Sequence, residues 1–378
     1  MDSGVVATPT LVTRPLRLEP FRALMLAPNR IGAQASARSF ARPYSDVAAR
    51  FAAWRRSGQV SQDTAPALYL HEYTTSGITI RGLVGALDLT REARTRDEVA
   101  VFPHEGVHTA QAAELADRMA EMAMNPAPIL LTHRASPDLR TRLRELRQRP
   151  SDHQFTDRSG QYHRIWAIRD ADALAAIEAG LIETRALIAD GHHRYAAYGR
   201  LRADHLELAP ATDAGLAMLV DLEDTPLFLG AIHRVLHGVS LRDLEPLGDA
   251  VRPVAGPQEA VAALAPTTVV ATDGHHWATI SLPRTDDRLT VEVLHQDVLP
   301  VLPTAGHEPR YAHSVDEALS AVARRRGLAI LMPVPDVVDV LHAAEHGRLL
   351  PEKATSFQPK PSVGVLIRSL RDEPTDRG

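Results

Sequence analysis

The chain has 378 residues, 44% apolar and 24% charged, with 42 Lys plus Arg against 47 Asp plus Glu and a formal net charge of −5. That length suggests two domains, or one large domain with a satellite; the charge balance argues against broad binding to nucleic acid or anionic lipid, which requires a basic face, and leaves room only for a local basic pocket. Cysteine is absent, which excludes disulfides, Cys-ligated zinc, iron–sulfur clusters and thiol nucleophiles.

No apolar run approaches the ~20 residues that span a bilayer, and the start lacks a basic stretch followed by an apolar one. A cytoplasmic protein without a membrane partner is the expectation. Residues 1–13 read as a floppy, disordered leader, and 14–30, a mixture of Pro, Arg and apolar residues, as an extended entry segment. A helix follows from about Ser45, which could cap it, to Gly58. The segment ALYLHEYTTSGITIRGLVGALDL predicts a hairpin turning at Thr-Thr-Ser-Gly.

After a charged linker (90–98), residues 100–131 read as strand, turn, helix, turn, strand. Leu115, Met119 and Met122 supply the buried stripe of that helix. A basic helix with a solvated face comes next, then a strand (YHRIWAI) with Trp166 in the core, a short helix, a strand ending at Ala189 and a helix opening at DGHHRYAAYGRLR. The last third predicts β runs at TTVVATDGHHWATISL and RLTVEVL, a helix carrying a Ser314/Glu317 capping box and ending at Gly327, a strand, a helix and a lysine-bearing loop. Helices alternating with short strands imply a mixed α/β fold. It divides into the leader, an N-terminal α/β segment (14–96), a core (97–240) and a C-terminal α/β segment (241–378).

The strongest local feature is Asp190-Gly191-His192-His193-Arg194. A strand ends, a sharp turn follows, and a helix begins whose free amides attract anions. Arg194 adds a planar fork suited to phosphate; His192 and His193 can donate hydrogen bonds; Asp190 can cap the helix or hold a divalent cation. In the plainer alternative, Asp190 only caps the helix and the basic residues are solvated. A second Asp-Gly-His-His, residues 273–276, lies between two β runs and reads as a hairpin turn.

His104-Glu105-Gly106-Val107-His108 formally matches the H-E-x-x-H of zinc hydrolases, which requires both histidines on one helical face. Pro103 and Gly106 place the helix start at or after the motif, leaving Glu105 as a loop carboxylate, a general base or a plain cap. Weaker candidates are His233-Arg234 at a strand end, and Lys353, Thr355 and Lys360 in a Pro-bounded loop.

In this order, PALYLHEY, PHEGVHTAQAAELADRM, HRIWAI, LIADGHHRYAAYGRL, GAIHRVL and LLPEKATSFQPK resemble the domain-of-unknown-function ten-fifteen family from about Arg14 to Leu370. The succession PHE, helix, PILL, IADGHHR is also similar to the ParB/sulfiredoxin-type core of the free serine kinases. The second resemblance implies a nucleotide-dependent kinase acting on a small hydroxyl metabolite, L-serine first. Glu105 and His193 would be catalytic, with Asp190, Gly191, His192, His193 and Arg194 at the phosphates and His233, Arg234 and Lys353 as further phosphate contacts. ATP or ADP would be the donor, Mg²⁺ would accompany it, and a homodimer is a candidate assembly. Two other readings stay open: a nucleotide-responsive module without transfer chemistry, and the zinc hydrolase.

Overall fold

A computed structural model of the chain describes residues 6–32, 47–283, 287–303 and 308–371. It divides into two units, one formed by Met1–Leu227 with Pro359–Gly378 and the other by Phe228–Gln358. The fold is mixed α/β, as expected. Among the described residues, no helix is long and apolar enough to cross a membrane.

The first unit is built on a sheet with the strand order His153–Thr156, Tyr162–Ile168, Leu68–Thr75, Ile78–Asp88, Ala214–Asp221, Ile129–His133, Ala186–Asp190, Val101–Phe102; Leu18–Glu19 also pairs with Ile78–Asp88. Ile129–His133 runs parallel to Ala214–Asp221 and Ala186–Asp190 parallel to Val101–Phe102, while the remaining pairs are antiparallel. Central strands covered on both faces need continuous apolar runs rather than alternation; accordingly every residue of Ala214–Asp221 is buried. The expected hairpin forms, with Thr75 opposite Ile78 around Ser76–Gly77.

Helices Thr109–Met122 and His192–Asp204 pack on each other. They contribute Ala116, Met119, Tyr195, Tyr198 and Leu201 to a core shared with Leu131, Trp166, Ile188 and Leu219. The Tyr198 ring packs directly on residue 215, which is glycine; a Cβ there would meet the ring at 2.2 Å. Its hydroxyl donates to the Leu216 carbonyl at 3.0 Å.

The second unit holds an antiparallel six-stranded sheet in the order Val251–Val254, Trp277–Ser281, Thr268–Thr272, Gly327–Leu331, His233–His237, Arg310–Ala312. Helix Val315–Arg324 supplies Ala318, Ala321 and Val322 to its core.

Several expectations are corrected. Residues 6–13 are not a loose leader: Val6–Ala7 pairs with Val107–His108, and Val12 and Thr13 bridge to Glu92 and Val99. RLTVEVL is not a β run; Thr290–Val293 is helical, its first turn closed by the Glu292 carboxylate accepting from the Leu289 N–H at 2.7 Å. The helix after Ser314 ends at Arg324, and its Glu317 carboxylate accepts from His313 rather than Ser314. Arg140, on the basic helix Pro137–Leu146, is paired with Asp221 and Glu223 instead of being solvated. The cap at Ser45 lies outside the described residues; the helix is described from Val47 to Arg56.

Two predictions follow from this packing. Gly215→Ala forces the Tyr198 ring away from the sheet, and overpacking of this kind costs about 1–3 kcal/mol; denaturant unfolding of the variant reads the loss. Burial also holds His71, His104, His133 and His163 neutral, lowering His104 to about 3 and His133 to about 4. The unfolded chain takes up protons near pH 6.5 that the folded chain refuses, so stability falls as pH drops below about 6.5, by up to about 1.4 kcal/mol per pH unit for each such histidine. Denaturant titrations between pH 7.5 and 5 should show this slope, and a flat profile contradicts it.

Candidate functional site

Strand Ala186–Asp190 delivers its last carboxylate to an edge of the buried sheet, where the chain bends at Gly191. Gly191 sits at φ 97° and ψ 31°, a left-handed conformation that side chains disfavour, and a Cβ on it would come within 2.9 Å of the Arg194 guanidinium. Both facts call for glycine. Helix His192–Asp204 starts immediately, so its first amides face the bend.

Arg194 folds back over the turn. Its Nη2 meets Asp190 Oδ2 at 2.6 Å and its Nη1 donates to the Pro128 carbonyl at 2.6 Å. The other carboxylate oxygen of Asp190 pairs with the Lys360 ammonium. Asp190 therefore lies between two cations beside a helix N-terminus, whose dipole adds positive potential there.

The loop holding Glu105 is tied directly to this turn. The His104 N–H donates to His192 Nε2 at 3.3 Å and the His108 N–H to His193 Nε2 at 3.2 Å. The His104 and His192 rings meet edge to face at 4.6 Å, and those of His108 and His193 stack at 5.8 Å. A nitrogen that accepts an N–H carries no proton of its own, so His192 and His193 are neutral with the proton on Nδ1. Glu105 lies between the two tethers, 13% exposed, with Oε1 3.9 Å from His104 Nε2. That approach is not an ion pair, because burial pushes His104 down to about 3, opposed only in part by its hydrogen bond to the Ile188 backbone.

Helix Thr109–Met122 begins after the motif, with His108 at its N-cap and Val107–His108 extended. His104 and His108 thus never share a helical face, and the zinc reading loses its geometry. Among the described residues, no group of three or more His, Asp or Glu could hold a metal ion. Asp190 is engaged by cations on both oxygens, so it does not suit a protein-held Mg²⁺.

The second Asp-Gly-His-His is a hairpin turn, as expected: Thr272 pairs with Trp277, and Asp273 Oδ1 accepts from the His275 and His276 N–H groups at 2.8 and 2.7 Å. His233, Arg234 and Lys353 belong to the second unit. His233 Nδ1 accepts from the Met332 N–H, and the Arg234 guanidinium is buried, bonding to His295, Ile232, Glu352 and Lys353. Those partners take up every nitrogen of Arg234. Lys360 is the residue that the sequence candidates left outside the phosphate set; its placement between Pro359 and Pro361 is the one signal that could have singled it out.

Solved structures similar to this chain include a free serine kinase in complex with AMP, at 14% identity and a TM-score of 0.40 over 71% of this chain and 88% of that one. Others are a conserved hypothetical protein from Pyrococcus furiosus (14%, TM-score 0.38, 71% and 92%) and SbnI with C-terminal truncation from Staphylococcus aureus (10%, TM-score 0.40, 77% and 90%). No curated protein matches the sequence. The family model described as protein of unknown function (DUF1015) matches residues 16–301, and the chain belongs to that family.

Proposed function

We propose that the turn Asp190–Arg194 binds the phosphates of a nucleotide and that Glu105 serves as the base for phosphoryl transfer to a small hydroxyl metabolite, serine being the first candidate. The observation that carries this reading is the pair of hydrogen bonds from His104 and His108 to His192 and His193. They hold the only carboxylate of that loop beside the positively charged turn.

Phosphoryl transfer asks for positioning, charge neutralisation and a base, and little else from a protein. In this reading the helix amides and Arg194 neutralise the phosphate oxygens, while Asp190 keeps the guanidinium in place. Glu105 accepts the proton of the acceptor hydroxyl as its oxygen attacks the terminal phosphorus. The bond from that phosphorus to the bridging oxygen breaks, and the nucleotide leaves one phosphate shorter. His193 cannot act as the base through Nε2, which already accepts a hydrogen bond; its Nδ1–H makes it a donor. Mg²⁺ would arrive with the nucleotide. The ParB/sulfiredoxin-type core belongs to the same reading.

Arg194→Met should weaken ADP or ATP binding about ten- to a hundredfold, the worth of one charge-assisted hydrogen-bonding group, as measured by titration calorimetry. Glu105→Gln should leave nucleotide affinity within a few-fold and abolish phosphoserine formation when the protein is incubated with nucleotide and serine. Wild-type protein that binds nucleotide and forms no phosphoserine with serine would favour the non-catalytic, nucleotide-responsive alternative.

A further inference from the structure

Lys360 reaches Asp190 from a loop that is anchored far from the turn. The Tyr73 hydroxyl donates to the Pro359 carbonyl at 2.7 Å. Gln161 Nε2 donates to the Lys360 carbonyl at 3.2 Å, and the Ser362 N–H donates to Gln161 Oε1 at 2.9 Å. A single amide side chain thus binds the backbone on both sides of Pro361, which has no N–H of its own to offer.

Gln161 is only 5% exposed and is itself fixed from beneath. Asp157 Oδ1 accepts from the Gln161 N–H at 2.9 Å and from the N–H and hydroxyl of Ser159, both at 2.8 Å. Asp157 Oδ2 faces His163 Nε2 at 3.2 Å, and His163 Nδ1 faces His71 Nε2 at 3.0 Å. Burial alone would raise the Asp157 carboxyl, but hydrogen bonds from Ser362, Ser159, His163 and Gln161 outweigh it and hold the group below the usual carboxylate range. The chain of contacts leads to the exposed Lys360 ammonium.

We propose that Gln161 is a positioning residue: its clamp on Lys360 and Ser362 delivers the Lys360 ammonium to the Asp190 turn, where it pairs with a phosphate of the bound nucleotide alongside Arg194. This rests on the reading of the turn as a nucleotide site. The ammonium is a point charge on a flexible stem, so its usefulness to a phosphate depends on how firmly its backbone is held. Gln161 is the side chain that holds the Lys360 carbonyl itself, with Tyr73 holding the carbonyl one residue before it.

The test is a double-mutant cycle on the full chain, with ADP in the presence of Mg²⁺ as the titrant. Lys360→Met is expected to weaken ADP about ten- to a hundredfold, and Gln161→Met by a smaller factor of about three to thirty. The double variant should bind no more weakly than Lys360→Met alone, because Gln161 acts only through the lysine. Should Gln161→Met unfold the chain, Gln161→Glu keeps the acceptor for Ser362 and loses the donor to Lys360, so it should bind at an intermediate affinity. The proposal is overturned if the two losses add in the double variant, if Lys360→Met binds like wild type, or if Gln161→Glu does. Wild-type protein that takes up no ADP overturns it as well, and that result is separable because it appears before any variant is made: the nucleotide reading itself has then failed.

Discussion

Two imidazole rings accept hydrogen bonds from the backbone of a loop more than eighty positions earlier in the chain, and those bonds form only while both rings are uncharged. Protonating His192 or His193 would replace an acceptor with a donor and set two N–H groups against each other. The positive character of the turn therefore comes from Arg194, Lys360 and the helix end, not from its histidines. The histidines act as connectors. They hold the Pro103–His108 segment against the start of helix His192–Asp204, and with it the position of Glu105.

The scaffold supports this at several levels. The strand that ends in Asp190 is flanked by Ile129–His133 and Val101–Phe102, so the turn emerges from a paired, buried edge of the sheet rather than from a free loop. The helix that follows is pressed onto the sheet through Tyr195, Tyr198 and Leu201. The Pro128 carbonyl, just before the neighbouring strand, takes one arm of Arg194 while Asp190 takes the other. A guanidinium with two fixed partners keeps its plane.

Features with a local cause were legible in the sequence. The strand–Gly–helix signature of Asp190–Arg194, the hairpin at Thr74–Gly77 and the contrasting hairpin at Asp273–His276 are all set by residues within a few positions of one another. Pro103 and Gly106 placed the helix start at or after the H-E-x-x-H motif, and it begins at Thr109. Features made by distant partners were not legible. The His104–His192 and His108–His193 pairs leave no periodic trace, and Lys360 meets Asp190 across 170 positions. Arg234 read as a candidate phosphate contact because nothing nearby in the sequence announces the carbonyls that bind it. RLTVEVL carries β-favouring residues, yet one carboxylate closing a first turn outweighed that preference.

The first unit is discontinuous: residues 228–358 fold as the second unit before the chain returns at Pro359. On the returning segment, strand Ile367–Ser369 pairs with Ala23–Leu26 and Met124–Asn125, and buried Arg368 bonds to the carbonyls of Ala211 and Ala214. During synthesis the ribosome finishes the inserted unit first, and the older unit waits with an open sheet edge and an unfilled slot for a guanidinium. The nascent chain thus carries an incomplete domain through the translation of 131 intervening residues. Stalling or nicking the message late would yield a polypeptide with most of its core made and no Lys360 to complete it.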